Sequence, residues 1–135
     1  MRWKTHAARR IIGVLALLGA SVLGPVAARA SGPAVSVPER TRVCMVQDTV
    51  MTVPAIPLVR DGKTYYGCCQ MCKGKIAAEP ERYTSARDPV TGATVDKATA
   101  ELLSVDGRVL YFESAATRDQ FVRTLPGESL GSPGR

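Results

Sequence analysis

The chain has 135 residues, of which 18 are basic and 12 are acidic, giving a formal net charge of +6 at pH 7. Five of the basic residues and none of the acidic ones lie in the first 30 positions, so the remaining residues have a net charge of only +1. This near-neutral part gives no support for nucleic-acid binding through a basic surface, and its length allows one small domain.

The first 30 residues have the three parts of a secretory signal peptide. Basic side chains in residues 2–10 precede an apolar run in residues 11–28, and residues 28–30 have the small-x-small pattern of a cleavage site. We therefore expect cleavage after Ala30, a mature chain that begins at Ser31, and a periplasmic or secreted location.

A retained membrane anchor is the alternative interpretation of this apolar run. Gly19, Gly24 and Pro25 interrupt the run, and no stop-transfer charges follow it closely, so we expect no membrane attachment after cleavage. Cleavage would also remove His6, the only histidine. A metal site in the mature chain would then use cysteine, methionine, carboxylate or backbone ligands.

The two ends of the mature chain differ in composition from its middle. Residues 31–42 and 126–135 are rich in Pro, Gly and Ser and lack hydrophobic periodicity. This composition predicts a flexible linker and a disordered tail. Between them lie about 85 foldable residues, a length at which burial alone gives marginal stability.

An internal repeat organises this middle part. Residues 44–47 match residues 88–91, and after one inserted residue, residues 61–66 match residues 106–111. The sequence therefore predicts two similar units, which either share a core or depend on a bound metal for stability.

Each unit contains an Asp-Gly pair between two short apolar runs. The pairs are Asp61-Gly62 and Asp106-Gly107, and Asp-Gly favours a two-residue hairpin turn because both central residues need positive φ. The predicted strands are residues 56–60 and 63–67 in the first unit, and residues 100–105 and 108–113 in the second.

A helical pattern follows the first hairpin. Cys68, Cys72 and Ile76 recur at i, i+4 and i+8, which predicts a helix that begins at Cys68. Pro80 predicts the end of this helix near Ala78, because a proline disfavours helical backbone in the residue before it.

A second helix is predicted after the second hairpin, with Ser114 as its N-cap. Its predicted apolar face consists of Phe121, Val122 and Leu125. The predicted fold class is therefore α+β, with each unit a β-hairpin followed by a helix, and residues 79–87 link the two units.

All four cysteines belong to the first unit. A helix that begins at Cys68 places the sulfur atoms of Cys68, Cys69 and Cys72 within one arc, and the hairpin brings Cys44 alongside. We expect the positive end of the helix dipole to lower the pKa of these thiols and to favour the thiolates that a metal ion needs.

Sulfur ligands without imidazole favour soft metal ions. Cu(I) is the first choice, and Zn(II), which accepts four sulfur ligands in a tetrahedron, is the second. Three methionines offer additional thioether ligands, although each of them alone is more often a core residue. These methionines are Met45, Met51 and Met71.

Two alternatives use the same cysteines without a metal ion. Small exported domains often contain disulfides, and four cysteines allow three pairings, although the adjacency of Cys68 and Cys69 disfavours two unstrained bridges. Cys69 and Cys72 also have the CxxC spacing of a redox site, but the chain lacks a thioredoxin-sized βαβ framework. No catalytic motif is present, so we expect no enzyme activity.

The order and spacing of the motifs in both units are distinctive. Cys44 is followed after 23 residues by Cys68-x-x-x-Cys72, with Tyr-Tyr before this pair and Glu-Pro-Glu-Arg-Tyr after it. This pattern resembles the TRASH/YHS group of small metal-binding domains. The second unit is similar to a YHS domain in residues 88–92 and 106–112, so the resemblance covers nearly all of both units.

The resemblance implies a small treble-clef-like ββα finger and a function in heavy-metal sensing, trafficking or resistance, often with copper. It places a metal-binding unit at residues 43–84, with Cys44, Cys68 and Cys72 as ligands and Cys69 as an additional one. The implied partners are a transition-metal ion and a metal transporter or another periplasmic metal protein.

The second unit, residues 85–125, departs from this pattern. Asp88 stands in place of the first cysteine, and Glu113, Ser114 and Thr117 stand in place of the later ones. We therefore expect the second unit to be a degenerate copy that has lost metal binding and has kept a packing role.

Overall fold

Two Asp-Gly turns form the two longest hairpins of the fold. Asp61 and Asp106 have φ angles of 49° and 51°, and Gly62 and Gly107 follow with φ angles of 73° and 81°. A turn with positive φ at both central residues matches the right-handed twist of the flanking strands. Both predicted hairpins are confirmed, with strand bounds within one residue of those expected.

The computed structural model describes residues 32–127, so the predicted signal peptide and most of the predicted tail lie outside the described residues. The elements in chain order are β1 (Val35–Ser36), β2 (Val43–Cys44), β3 (Thr49–Val50), β4 (Ile56–Arg60), β5 (Lys63–Gly67), α1 (Gln70–Ala78), α2 (Pro80–Thr84), β6 (Ser85–Arg87), β7 (Thr94–Asp96), β8 (Glu101–Val105), β9 (Arg108–Phe112) and α3 (Ala115–Val122). The predicted α+β class is confirmed. Within residues 32–127, no helix is long and apolar enough to cross a membrane.

A short hairpin precedes each long hairpin, which the sequence pattern did not reveal. β2 pairs with β3, with Cys44 opposite Thr49, and β6 pairs with β7, with Arg87 opposite Thr94. Each unit therefore has two hairpins and a helix instead of the single hairpin and helix that we predicted. Strands of two or three residues are too short for an alternating pattern to be visible in the sequence.

The largest sheet combines strands from both units. Its order is β1-β8-β9-β3-β2, and β3 joins β9 through Thr49 and Arg108. β1 pairs with β8 through Val35 and Val105, although residues 31–42 are predicted to be a flexible linker. Pairing with β8 satisfies the backbone of a segment whose composition alone indicates no strand.

The main hydrophobic core also contains residues from both units. Its buried members are Val43, Met45, Tyr65, Ile76, Val95, Ala100, Leu102, Val109 and Tyr111. A smaller cluster of Leu103, Phe112 and Val122 lies within the second unit. These two clusters, found in residues 32–127, leave the first unit without a core of its own, so its stability depends on the second unit.

The first helix begins later than predicted. α1 starts at Gln70 and Cys69 is its N-cap, with an extended backbone at φ −158° that leaves Cys68 outside the helix. α1 ends at Ala78, as predicted. Pro80 is then the first residue of α2, where its missing N–H costs no helical hydrogen bond.

The remaining helical predictions are confirmed in part. The Oγ atom of Ser114 accepts a hydrogen bond from the Thr117 N–H at 3.3 Å, which confirms Ser114 as the N-cap of α3. Phe121 and Val122 belong to α3, but Leu125 lies beyond the end of the helix. The link between the units, residues 79–87, is itself structured and contains α2 and β6.

Candidate metal site

Three cysteine sulfur atoms meet where the first unit brings its two hairpins and its helix together. The Sγ atoms of Cys44, Cys68 and Cys72 all lie within 4.8 Å of one another. The distance from Cys72 Sγ is 3.9 Å to Cys44 Sγ and 3.3 Å to Cys68 Sγ. The three residues come from the end of β2, the bend after β5, and the first turn of α1. They lie close enough to bind one metal ion, and all four cysteines are free.

Cys69 lies at the side of this group. Its Sγ atom is 3.8 Å from Cys68 Sγ and 3.7 Å from Cys72 Sγ, but it is not part of the set in which every sulfur is close to every other. The prediction that Cys68, Cys69 and Cys72 share one arc of a helix is therefore corrected. Cys68 and Cys69 precede α1, and the bend before this helix brings their sulfurs close to that of Cys72.

Backbone N–H groups surround the sulfur of Cys44, which is fully buried. Burial raises the pKa of the Cys44 thiol, but the N–H groups of Gln47, Cys68 and Val46 act in the opposite direction and the net pKa is lowered. A hydrogen bond to a charged acceptor favours the charged form. The chain therefore stabilises a thiolate at this position before any ion is bound.

The other three thiols do not behave uniformly. A hydrogen bond with Cys72, together with burial, raises the pKa of Cys68 to about 12. Burial raises the pKa of Cys72 as well. The backbone N–H of Cys72 lowers the pKa of Cys69, although Cys69 makes no capping hydrogen bond. The expected lowering by the helix N-terminus thus applies to Cys69 and is outweighed at Cys68 and Cys72, where an ion would have to displace protons.

The second unit has the same arrangement of donors around a carboxylate. Asp88 is 1% exposed, and its Oδ1 accepts hydrogen bonds from the N–H groups of Val90 at 2.7 Å and Thr91 at 3.3 Å. Its Oδ2 accepts one from the Glu113 N–H at 2.9 Å. These donors are the repeat equivalents of the three around Cys44. Both units therefore place an acidic side chain, whose charged form the backbone donors favour, at the same point of the fold.

A glycine allows the close contact between β5 and α1 at the site. A Cβ atom on Gly67 would lie 2.7 Å from Cys72 Cβ, which is shorter than any normal carbon contact. The equivalent residue of the second unit is Phe112, which is fully buried in the smaller hydrophobic cluster. The glycine before the cysteine pair is the sequence signal that could have revealed this contact.

A buried lysine connects the second unit to the loop that follows Cys44. The Nζ atom of Lys97 donates hydrogen bonds to the Met45 carbonyl at 2.8 Å and to Asp48 Oδ1 at 2.6 Å. Only 5% of the Lys97 side chain is exposed. Sequence reasoning missed this contact, because nothing near Lys97 in the chain distinguishes it from a surface lysine.

The three methionines proposed as additional ligands have different environments. Met45 is fully buried in the shared core, Met51 is half-buried, and Met71 is 72% exposed on α1. Their use as metal ligands stays a prediction. The ligand assignment to individual cysteines also stays a prediction beyond the proximity of the three sulfurs.

No family model, curated protein or solved structure matches this chain significantly. The resemblance to TRASH/YHS domains therefore depends on the sequence motifs alone.

Proposed function

We propose that this protein is exported and binds a soft metal ion through the thiolates of Cys44, Cys68 and Cys72. The observation that carries the proposal is the mutual approach of their three Sγ atoms to within 4.8 Å. The lowered pKa of Cys44 supports it, because the N–H groups of Gln47, Cys68 and Val46 outweigh burial and favour the thiolate form of this side chain.

Cu(I) is the ion that we propose, with Zn(II) second. A tetrahedral ion with Zn–S bonds of about 2.3 Å holds its sulfurs about 3.8 Å apart. The separations of 3.3 and 3.9 Å from Cys72 Sγ to its two partners fit sulfur ligation, but in residues 32–127 only three sulfurs are mutually close. Three sulfurs satisfy Cu(I), whereas tetrahedral Zn(II) would need a fourth ligand, for which Cys69 would have to move closer to Cys44.

The biological role that we propose is metal trafficking, sensing or resistance in the periplasm or outside the cell. The signal-like N-terminus and the resemblance to TRASH/YHS domains support this role. On this proposal each unit is a treble-clef-like finger, the second is a degenerate copy, and the partner is a metal transporter or another periplasmic metal protein. We propose no enzymatic activity.

Elemental analysis of protein purified from the periplasm, combined with thiol counting on the same sample, tests the proposal. We expect about one metal ion per chain, no disulfide, and copper in preference to zinc when both are supplied. Mass spectrometry of the same sample should give a chain that begins at Ser31. Protein retained in the cytoplasm with residues 1–30 attached would contradict export.

A disulfide-linked structural or redox module is the second candidate. The 3.3 Å between Cys68 Sγ and Cys72 Sγ favours it, because this pair is close enough to be oxidised after a small rotation. A sample with neither metal nor free thiols would support this candidate over metal binding.

A further inference from the structure

The sulfur group is open on only one side. Cys44 is fully buried and Cys72 is 4% exposed, whereas Cys68 and Cys69 are only half-buried. An ion held by Cys44, Cys68 and Cys72 would therefore meet solvent, or another molecule, on the side where Cys69 lies.

The sulfur of Cys69 is held at the start of α1 less firmly than its counterpart in the second unit. The N–H of Cys72 lowers the pKa of Cys69, but the Cys69 side chain makes no capping hydrogen bond of normal geometry. Its equivalent in the second unit, Ser114, uses its Oγ to accept the Thr117 N–H at 3.3 Å. A sulfur without a fixed capping bond thus lies 3.7 Å and 3.8 Å from two candidate ligands.

We infer that Cys69 is an exchange ligand, which takes part in moving the ion into and out of the site without being needed to hold it; this inference depends on the proposed function. In release, a bond forms between the ion and Cys69 Sγ, and the bond to the buried Cys44 Sγ breaks. Cys69 gives its thiol proton to solvent, and the released Cys44 thiolate takes up one proton from solvent, so the net charge of the site is unchanged. Copper stays Cu(I) throughout, so no oxidant or reductant is needed.

The molecule that accepts the ion must offer a thiolate or thioether sulfur at the same exposed surface. A soft ion leaves three sulfur ligands only for ligands of similar softness. An acceptor of this class can bind the ion beside Cys69 and Cys68. The bond to Cys72 then breaks last, because Cys72 is more buried than Cys68 and Cys69.

Equilibrium and kinetic measurements on Cys69→Ser test the inference in the whole mature chain. We expect its affinity for Cu(I), from competition with bathocuproine disulfonate, to stay within about threefold of that of the unaltered protein. The rate of transfer to the same chelator, measured by stopped flow, should fall by about tenfold or more. Gln70→Ala, which alters the adjacent exposed residue without removing a sulfur, should change neither quantity.

The outcomes distinguish this inference from the proposed function. A transfer rate in Cys69→Ser equal to that of the unaltered protein would overturn the exchange role. A loss of affinity as large as that of Cys72→Ser would also overturn it, because Cys69 would then be a permanent ligand of a valid site. If the unaltered protein binds no Cu(I), the proposed function fails and the exchange role fails with it.

Discussion

The two units have the same arrangement of backbone N–H donors, but the acceptor is a thiol in the first unit and a carboxylate in the second. In the first unit, three N–H groups lower the pKa of the buried Cys44 thiol, and in the second they are bonded to the buried carboxylate of Asp88. A carboxylate with its donors satisfied needs no ion. A thiolate beside Cys68 and Cys72 is still able to bind one. The comparison shows that side chains, not the backbone donors, distinguish a candidate metal site from a structural turn.

The two units also differ in how the second strand of the long hairpin packs against the helix that follows it. In the second unit, Phe112 is fully buried and its ring centroid is 5.6 Å from that of Phe121, so packing holds α3 against the sheet. In the first unit, Gly67 leaves room for Cys72, and the buried residues of α1 are Cys72 and Ile76 alone. We therefore expect the first unit to gain more from a bound ion than the second.

The largest expected effect comes from loading and removing the metal. When free Cu(I) exceeds the Kd about a thousandfold, binding to the native state adds about 4 kcal/mol to the free energy of unfolding. Amide hydrogen exchange with and without Cu(I), under reducing conditions, should show gained protection around Cys44 and in residues 65–76. Smaller gains are expected in residues 109–125, transmitted through the shared core. Unchanged protection in both units would contradict a metal site.

Removing single thiols should separate the ligands from one another. Cys68→Ser or Cys72→Ser should weaken Cu(I) binding by about 100-fold, because each removes one of three mutually close sulfurs. Thr117→Ser, at the position equivalent to Cys72, should leave binding unchanged. Competition titration with a Cu(I) chelator measures the affinity of these variants and of Cys69→Ser. Equal losses for Cys68→Ser, Cys72→Ser and Cys69→Ser would mean that the site uses every thiol, and no loss in any of them would refute metal binding.

Much of the fold could be predicted because its signals are local. The turns at Asp61-Gly62 and Asp106-Gly107, the end of α1 before Pro80, and the cap at Ser114 each depend on a few adjacent residues. The short strands β2, β3, β6 and β7 could not be predicted, because their pairing partners, not their composition, make them strands. The start of α1 was misplaced because the apolar spacing from Cys68 to Ile76 imitates a helical repeat.

The sequence predicted which cysteines form the candidate site but not the contacts that hold them in place. The spacing of Cys44, Cys68 and Cys72 identified the three sulfurs that the structure brings together. The role of Gly67 and the contacts of Lys97 depend on distances between parts of the chain that are far apart in sequence. The pKa values of Cys68 and Cys72 were misjudged for a related reason, because the contact with Cys72 at Cys68 and burial at Cys72 outweigh the helix dipole.

Substituting Gly67 should show how closely the site depends on the contact between β5 and α1. Gly67→Ala would place a methyl group 2.7 Å from Cys72 Cβ, so the helix must move. We expect a loss of about 2 kcal/mol in the free energy of unfolding and about a tenfold loss of Cu(I) affinity. Denaturant unfolding and chelator competition measure the two effects.

Gly74→Ala is the matched control for this substitution. Gly74 lies within α1, and nothing lies within 4 Å of the position that its Cβ would occupy. Alanine is favoured over glycine in a helix interior by about 0.5 to 1 kcal/mol, so this variant should be more stable than the unaltered protein. If both alanine variants behaved alike, the close contact at Gly67 would not govern the site.

Asp88→Asn tests whether the second unit depends on its buried carboxylate as the first depends on its thiolate. Burial raises the pKa of Asp88, but the N–H groups of Glu113 and Val90 outweigh it and the net pKa is lowered. A carboxylate with a depressed pKa stabilises the native state above its unfolded-state pKa, and this stabilisation is lost as the pH falls through the folded-state pKa. In Asn the amide Nδ2 cannot accept a hydrogen bond from the Glu113 N–H, so we expect a loss of about 1 to 2 kcal/mol in the free energy of unfolding at pH 7.

Below about pH 4 the difference in free energy of unfolding between the two proteins should narrow, because protonation removes the same charge from Asp88. Asp61→Asn, at an exposed turn position where asparagine tolerates positive φ, should change stability little at either pH. A constant gap between the Asp88→Asn variant and the unaltered protein from pH 7 to pH 2 would show that the charge of Asp88 contributes nothing, and that shape alone holds the second unit together.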